Sequence, residues 1–163
     1  EKKIFFSTDH HNHALAAYKI FLDYKILGSG PNTFRYICKK EKYHLKKPDI
    51  KFGVDGTPDV APINSTGCST HPHNLYLQLL SETGVVGIII PLLFQIFLLI
   101  ILIKSIFKIQ KFRDDNRLRC EIFLISAFFI SLFPLIPSGN FFNNWLSFIY
   151  FYPLGFYLYI KNA

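Results

Sequence analysis

The sequence predicts an all-α, polytopic membrane protein, with three C-terminal transmembrane helices preceded by an external helical segment. Three observations carry this. Residues 85–103 read VVGIIIPLLFQIFLLIILI, 19 positions without a charge, which is the length needed to cross about 30 Å of hydrocarbon. A basic segment follows at once, with Lys104, Lys108, Lys111, Arg113, Arg117 and Arg119. Two further apolar stretches then close the chain, IFLISAFFISLFPLIP at 122–137 and LSFIYFYPLGFYLYI at 146–160.

Composition narrows the class. Half of the 163 residues are hydrophobic and 17% are aromatic, which excludes a disordered, collagen-like or disulfide-miniprotein chain. The net charge is +7, but no arginine-rich face or nucleic-acid motif accompanies it, so no nucleic-acid partner is implied. In the second half of the chain nearly all charges fall between Lys104 and Glu121. Six basic residues in so short a loop place it in the cytoplasm by the positive-inside rule.

The order of segments follows. Residues 1–84 form an external segment with two helices, and 85–103 cross the membrane. Residues 104–121 are a cytoplasmic loop, 122–137 cross back, and 138–145 (SGNFFNNW) make an external turn. Residues 146–160 cross again, leaving 161–163 as a cytoplasmic tail. The last two stretches are each about a minimal span, so a re-entrant pair over 122–160 is the alternative. In a bacterium the external side is the periplasm. The chain has no Met and starts at Glu1. No apolar signal core occurs in its first 20 residues. Spans upstream of residue 1 are therefore expected to deliver the external segment, and the chain reads as a fragment.

Within that segment, Leu15, Tyr18, Leu22 and Ile26 recur at helical spacing and predict a first helix with an apolar face. Gly28-Ser29-Gly30-Pro31 stops it, as a cap and turn or as an anion-binding nest. Residues 36–67 carry a lysine cluster and scattered Pro and Gly, with no predicted element. A second helix starts near CSTHPHNLYLQLLSETG, with Thr70 or His71 as N-cap and Pro72 in the first turn. That register puts His73 in the first turn, where the helix dipole disfavours an imidazolium. Gly84 is the expected C-terminal cap residue. Cys38 and Cys68 lie outside, where thiols oxidise, and Cys120 inside, where they stay reduced. A Cys38–Cys68 disulfide is the expected pairing, with two separate thiols as the alternative.

The block HPHNLYLQLLSETGVVG, residues 71–87, resembles the O-antigen ligase and polymerase superfamily. In that family a His-Asn, leucines and Glu-x-Gly-x-x-Gly open the span after a large periplasmic loop. Here these are His73, Asn74, Leu75, Leu77, Leu80, Glu82, Gly84 and Gly87. GSGPNTFR, residues 28–35, is similar to the family's glycine-rich turn. The resemblance implies a GT-C-like, metal-independent, inverting membrane glycosyltransferase of the bacterial inner membrane, with no cofactor. It implies transfer of a glycan from an undecaprenyl-pyrophosphate donor to an acceptor hydroxyl of lipid A-core or another acceptor, beside membrane lipids. An O-antigen polymerase or a protein O-oligosaccharyltransferase are the alternatives within the superfamily. His73 takes the family's catalytic role. Arg35, Asn74 and His71 become substrate-binding residues, with Arg35 gripping pyrophosphate. The family's other loop arginine has no match in STDHHNHALAAYK. A fragment of this kind is expected to be inactive alone.

Two other classes remain open. His10, His11, His13, His71 and His73 are a candidate metal cluster, but no Cys or carboxylate completes a recognised ligand spacing, and no metal is assigned. The other is a non-catalytic, membrane-anchored interaction protein, in which His73 only caps a helix.

Overall fold

The computed structural model describes residues 8–44, 66–111 and 115–162. Most of the lysine-rich loop, 45–65, and Arg113 lie outside them. The described elements are all helical: α1 (Thr8–Asp23), α2 (Phe34–Ile37), a 3₁₀ turn (Glu41–Tyr43), α3 (Leu75–Lys111), α4 (Asn116–Ser131) and α5 (Asn144–Asn162). No strand occurs among the described residues. The chain forms two compact units, Glu1–Ile88 with Ser138–Asn140, and Ile89–Pro137 with Phe141–Ala163.

In the first unit, α1 packs through a face the apolar spacing did not select. Leu15, Tyr18, Leu22 and Ile26 are exposed, while His13, Ala16, Ala17 and Ile20 are buried. The small side chains explain the choice. A Cβ on Gly67 would meet the Asn12 carbonyl and Ala16, so the strand of chain at 67 lies flat on α1 only where both sides are small. Phe34, Cys38 and Tyr43 complete this core. They come from α2, its C-cap and the 3₁₀ turn; α2 runs into, and the 3₁₀ turn lies within, the 36–67 stretch for which no element was predicted. Asp23 Oδ2 takes the Lys42 ammonium at 2.6 Å and the Tyr43 hydroxyl at 2.7 Å, tying the end of α1 to the 3₁₀ turn. Cys38 and Cys68 are joined by a disulfide, with Cα atoms 5.1 Å apart, and Cys120 is free and exposed.

Helix α3 is broken at Gly84, whose φ of 66° and ψ of −164° are open to glycine almost alone. The break serves a crossing of two backbones. A Cβ on Gly84 would meet the Ile26 carbonyl and Gly28 nitrogen, and one on Gly28 would meet the Glu82 backbone. The N–H groups that the break frees are used at once. Val85 donates to Lys25 O at 2.9 Å and Val86 to Ile26 O at 3.2 Å. On the other side Ser29 N–H reaches Ser81 O at 3.0 Å and Gly30 N–H reaches Glu82 O at 2.8 Å. The glycine turn is therefore a backbone clamp. Those two N–H groups are consumed, so Gly28–Gly30 is not an open anion nest.

Past the break, α3 is the one helix among the described residues long and apolar enough to cross a membrane. A core helix of a soluble protein is mostly buried, yet only 11% of its most apolar window is. In the second unit, Gln95 Nε2 donates to Phe129 O at 3.1 Å, so the polar group inside the apolar run has a partner from α4. Phe128 packs edge-on against Phe94 at 5.5 Å and Phe151 at 5.6 Å. Asp115 caps α4 by accepting Leu118 N–H at 3.0 Å. Helix α4 begins six residues before the predicted span at 122 and ends at Ser131, ahead of Pro134 and Pro137, which cannot continue it. Its 16 residues rise about 24 Å, at 1.5 Å each.

Candidate functional site

The second predicted helix starts later than its sequence register. Leu75 is its first residue, and Asn74 is the cap, its Oδ1 accepting Leu77 N–H at 3.0 Å. Asn outranks Thr and His as an N-cap because its short carbonyl reaches the third helical N–H without strain. His73 sits one residue outside, at φ 55°, a left-handed backbone that closes the helix to it. It is therefore not in the first turn, and the helix dipole does not act on it from within. Asn74, expected to bind substrate, has its Oδ1 engaged in the cap.

The left-handed turn gathers four imidazoles. The His73 ring lies 4.1 Å from His71, 5.3 Å from His13 and 5.4 Å from His10, centroid to centroid. His71 and His73 thus share one place. His10 and His13 come from α1, three residues apart on one face, a spacing that marks the pair in hindsight. His13 is buried, with Nδ1 3.1 Å from Gly67 O. Ser69 Oγ lies 3.4 Å from His73 Nε2.

Electrostatics follow from the crowding. Burial, and then the neighbouring His73, His13 and Arg35, push His71 down to about 4. Burial, with His13 and His10, also holds His73 below the ordinary histidine range. Both rings are therefore neutral near pH 7, by desolvation and mutual repulsion. His71 Nδ1 is 3.0 Å from Thr70 Oγ1, and a hydrogen bond between the ring and the Ser138 backbone opposes part of the downward push. Among the described residues, no group of three or more His, Cys, Asp or Glu is arranged to hold a metal ion.

Arg35 stands in α2 within electrostatic reach of His71. Its Nη2 donates to Asn32 Oδ1 at 2.9 Å, and its Nε is buried without a partner. The first unit thus brings together Arg35, His71 and His73. Glu82, which the sequence marked only as part of the Glu-x-Gly-x-x-Gly block, forms with Asn32, Gln78 and Asn140 a hydrogen-bonded chain behind Arg35. Asn140 belongs to the turn between α4 and α5, far away in sequence, so no local pattern marks it. Glu82 is 1% exposed, and a single carboxylate in a leucine-rich helix is the signal that could have found it. No protein-family model matches the chain, and neither does any curated protein or solved structure.

Proposed function

We propose that the chain belongs to a multi-pass glycosyltransferase of the bacterial inner membrane, of the O-antigen ligase type. It moves a glycan from undecaprenyl pyrophosphate to an acceptor hydroxyl, on lipid A-core or another acceptor. The observation that carries this reading is the gathering of neutral His73 and His71 with Arg35 at the foot of α3. One buried nitrogen there, Arg35 Nε, lacks a partner. Buried polar atoms are normally satisfied, so an orphan nitrogen on a guanidinium fits a ligand that brings oxygen atoms.

The chemistry suits the groups. An acceptor hydroxyl is a poor nucleophile until a base takes its proton, and a neutral imidazole is such a base. His73 receives that proton as the acceptor oxygen bonds the sugar's anomeric carbon. The bond from that carbon to the phosphate oxygen breaks, and its electron pair leaves with the pyrophosphate. Arg35 stabilises the charge that develops there, and its planar fork matches phosphate oxygens. Attack opposite the leaving group inverts the sugar carbon.

The membrane setting draws on three features. The Cys38–Cys68 disulfide suits an oxidising compartment, which supports reading residues 1–84 as periplasmic. The basic residues from Lys104 to Arg119 face the cytoplasm. Exposed apolar side chains on α3 and α5, such as Ile90, Phe97, Phe148 and Tyr159, face lipid or neighbouring spans. With α4 and residues 132–137 read as crossing back, two crossings return Ser138–Asn140 to the side of His73.

The test is transfer by the full-length protein in membranes lacking any native transferase. A labelled glycan on undecaprenyl pyrophosphate is expected to appear on the acceptor, with free undecaprenyl pyrophosphate released and no loss in EDTA. A protein that leaves the donor intact under these conditions is an interaction module.

A further inference from the structure

We propose that Glu82 and Asn140 are positioning residues that fix the Arg35 guanidinium at its phosphate subsite. The inference rests on the reading of Arg35 as an anion-binding residue.

Helix α2 has four residues, too few to hold an arginine in place by helix formation alone. What holds it is Glu82. One oxygen of its buried carboxylate accepts Phe34 N–H at 2.6 Å. Its own main-chain carbonyl accepts Gly30 N–H at 2.8 Å. A single residue therefore grips both ends of the turn that leads into Arg35. The second carboxylate oxygen accepts Gln78 Nε2 at 3.0 Å.

The same Gln78 amide donates to Asn140 Oδ1 at 2.7 Å, and Asn140 Nδ2 donates to Asn32 Oδ1 at 3.2 Å. Asn32 Oδ1 is also the acceptor for Arg35 Nη2. Asn32 itself has φ 59°, a conformation that Asn tolerates and most residues do not. The chain of bonds thus closes on the guanidinium from Glu82, through Gln78, Asn140 and Asn32. It ties down Nη2 and leaves Nε without a protein partner. A side chain so held keeps one donor edge ready, and an unheld arginine must lose its rotamer freedom on binding.

The experiment reads Arg35 itself. Full-length protein is treated with phenylglyoxal across a series of inorganic pyrophosphate concentrations, and modification at Arg35 is read by mass spectrometry. In the parent protein pyrophosphate is expected to protect Arg35. Asn140→Ala and Glu82→Gln are expected to raise the half-protecting concentration about fivefold, the worth of one ordinary hydrogen bond. Asn140→Asp keeps the size and the acceptor for Gln78 but cannot donate to Asn32, so it is expected to fail as Ala does. A mere packing role would tolerate the Asp. Ser29→Ala, in the same turn but outside the chain of bonds, is the control and should leave protection unchanged.

The Cys38–Cys68 link, read in the same spectra, reports folding. If Glu82→Gln lacks it, the two Asn140 variants decide. Protection of the parent with unchanged half-protection in folded Asn140→Ala and Asn140→Asp overturns the positioning role. An unprotected parent overturns the anion reading of Arg35 and this inference with it.

Discussion

Three imidazoles between 4.1 and 5.4 Å from the His73 ring set a limit on charge. His71 and His73 stay neutral in the fold because protonating either one buries a cation beside its neighbours. The consequence for stability has a definite sign. In the unfolded chain a histidine takes its proton near pH 6.5. In the fold His71 does not take it until about pH 4. Stability is therefore fully present above pH 6.5. It falls as the pH drops through that value, until both states are protonated near pH 4. Thermal unfolding of the full-length protein is expected to show this loss between pH 7 and pH 4.5. His71→Gln should flatten it, and an unchanged slope would mean that other groups carry the acid sensitivity.

At the scale of elements, the crossing of the 25–30 turn over the break in α3 holds the site's two halves together. Gly84→Ala must place a Cβ where the Ile26 carbonyl already lies, at a backbone conformation worth about 1–3 kcal/mol of strain for other residues. Denaturant unfolding should show a loss of at least that size, while an alanine at the exposed Lys39 should cost little. The break was legible in the sequence because Gly84 precedes an uninterrupted apolar run, and a helix that ends there can restart as a span. The register before it was not legible. Thr70, His71 and Asn74 all have side chains able to cap, and only the left-handed turn at His73 selects Asn74. The buried face of α1 was hidden for a different reason. Apolar periodicity finds large side chains, and here packing is made by Ala16, Ala17 and a buried His13 against Gly67. Of the candidate site, His73 and Arg35 were legible through the motif that each follows or ends. Asn140 was not, because its part depends on a turn more than 60 residues from Gln78.

For the whole molecule, the topology decides whether any of this chemistry faces the acceptor. Cysteine replacements at Ser138 and Asn116, in a background without Cys120, should label differently. Position 138 is expected to react with an impermeant maleimide from outside, and position 116 only after permeabilisation. The reverse pattern would put His73 in the cytoplasm. The central claim is that His73 takes the acceptor's proton, and the measurement that tests it most directly is the rate of glycan transfer by full-length His73→Ala. The variant should still insert in the membrane and form the Cys38–Cys68 link, with transfer slowed by about 10²–10⁴, the usual worth of a general base. Transfer at near the parent rate would contradict the claim and leave His73 as the residue that turns the chain into α3.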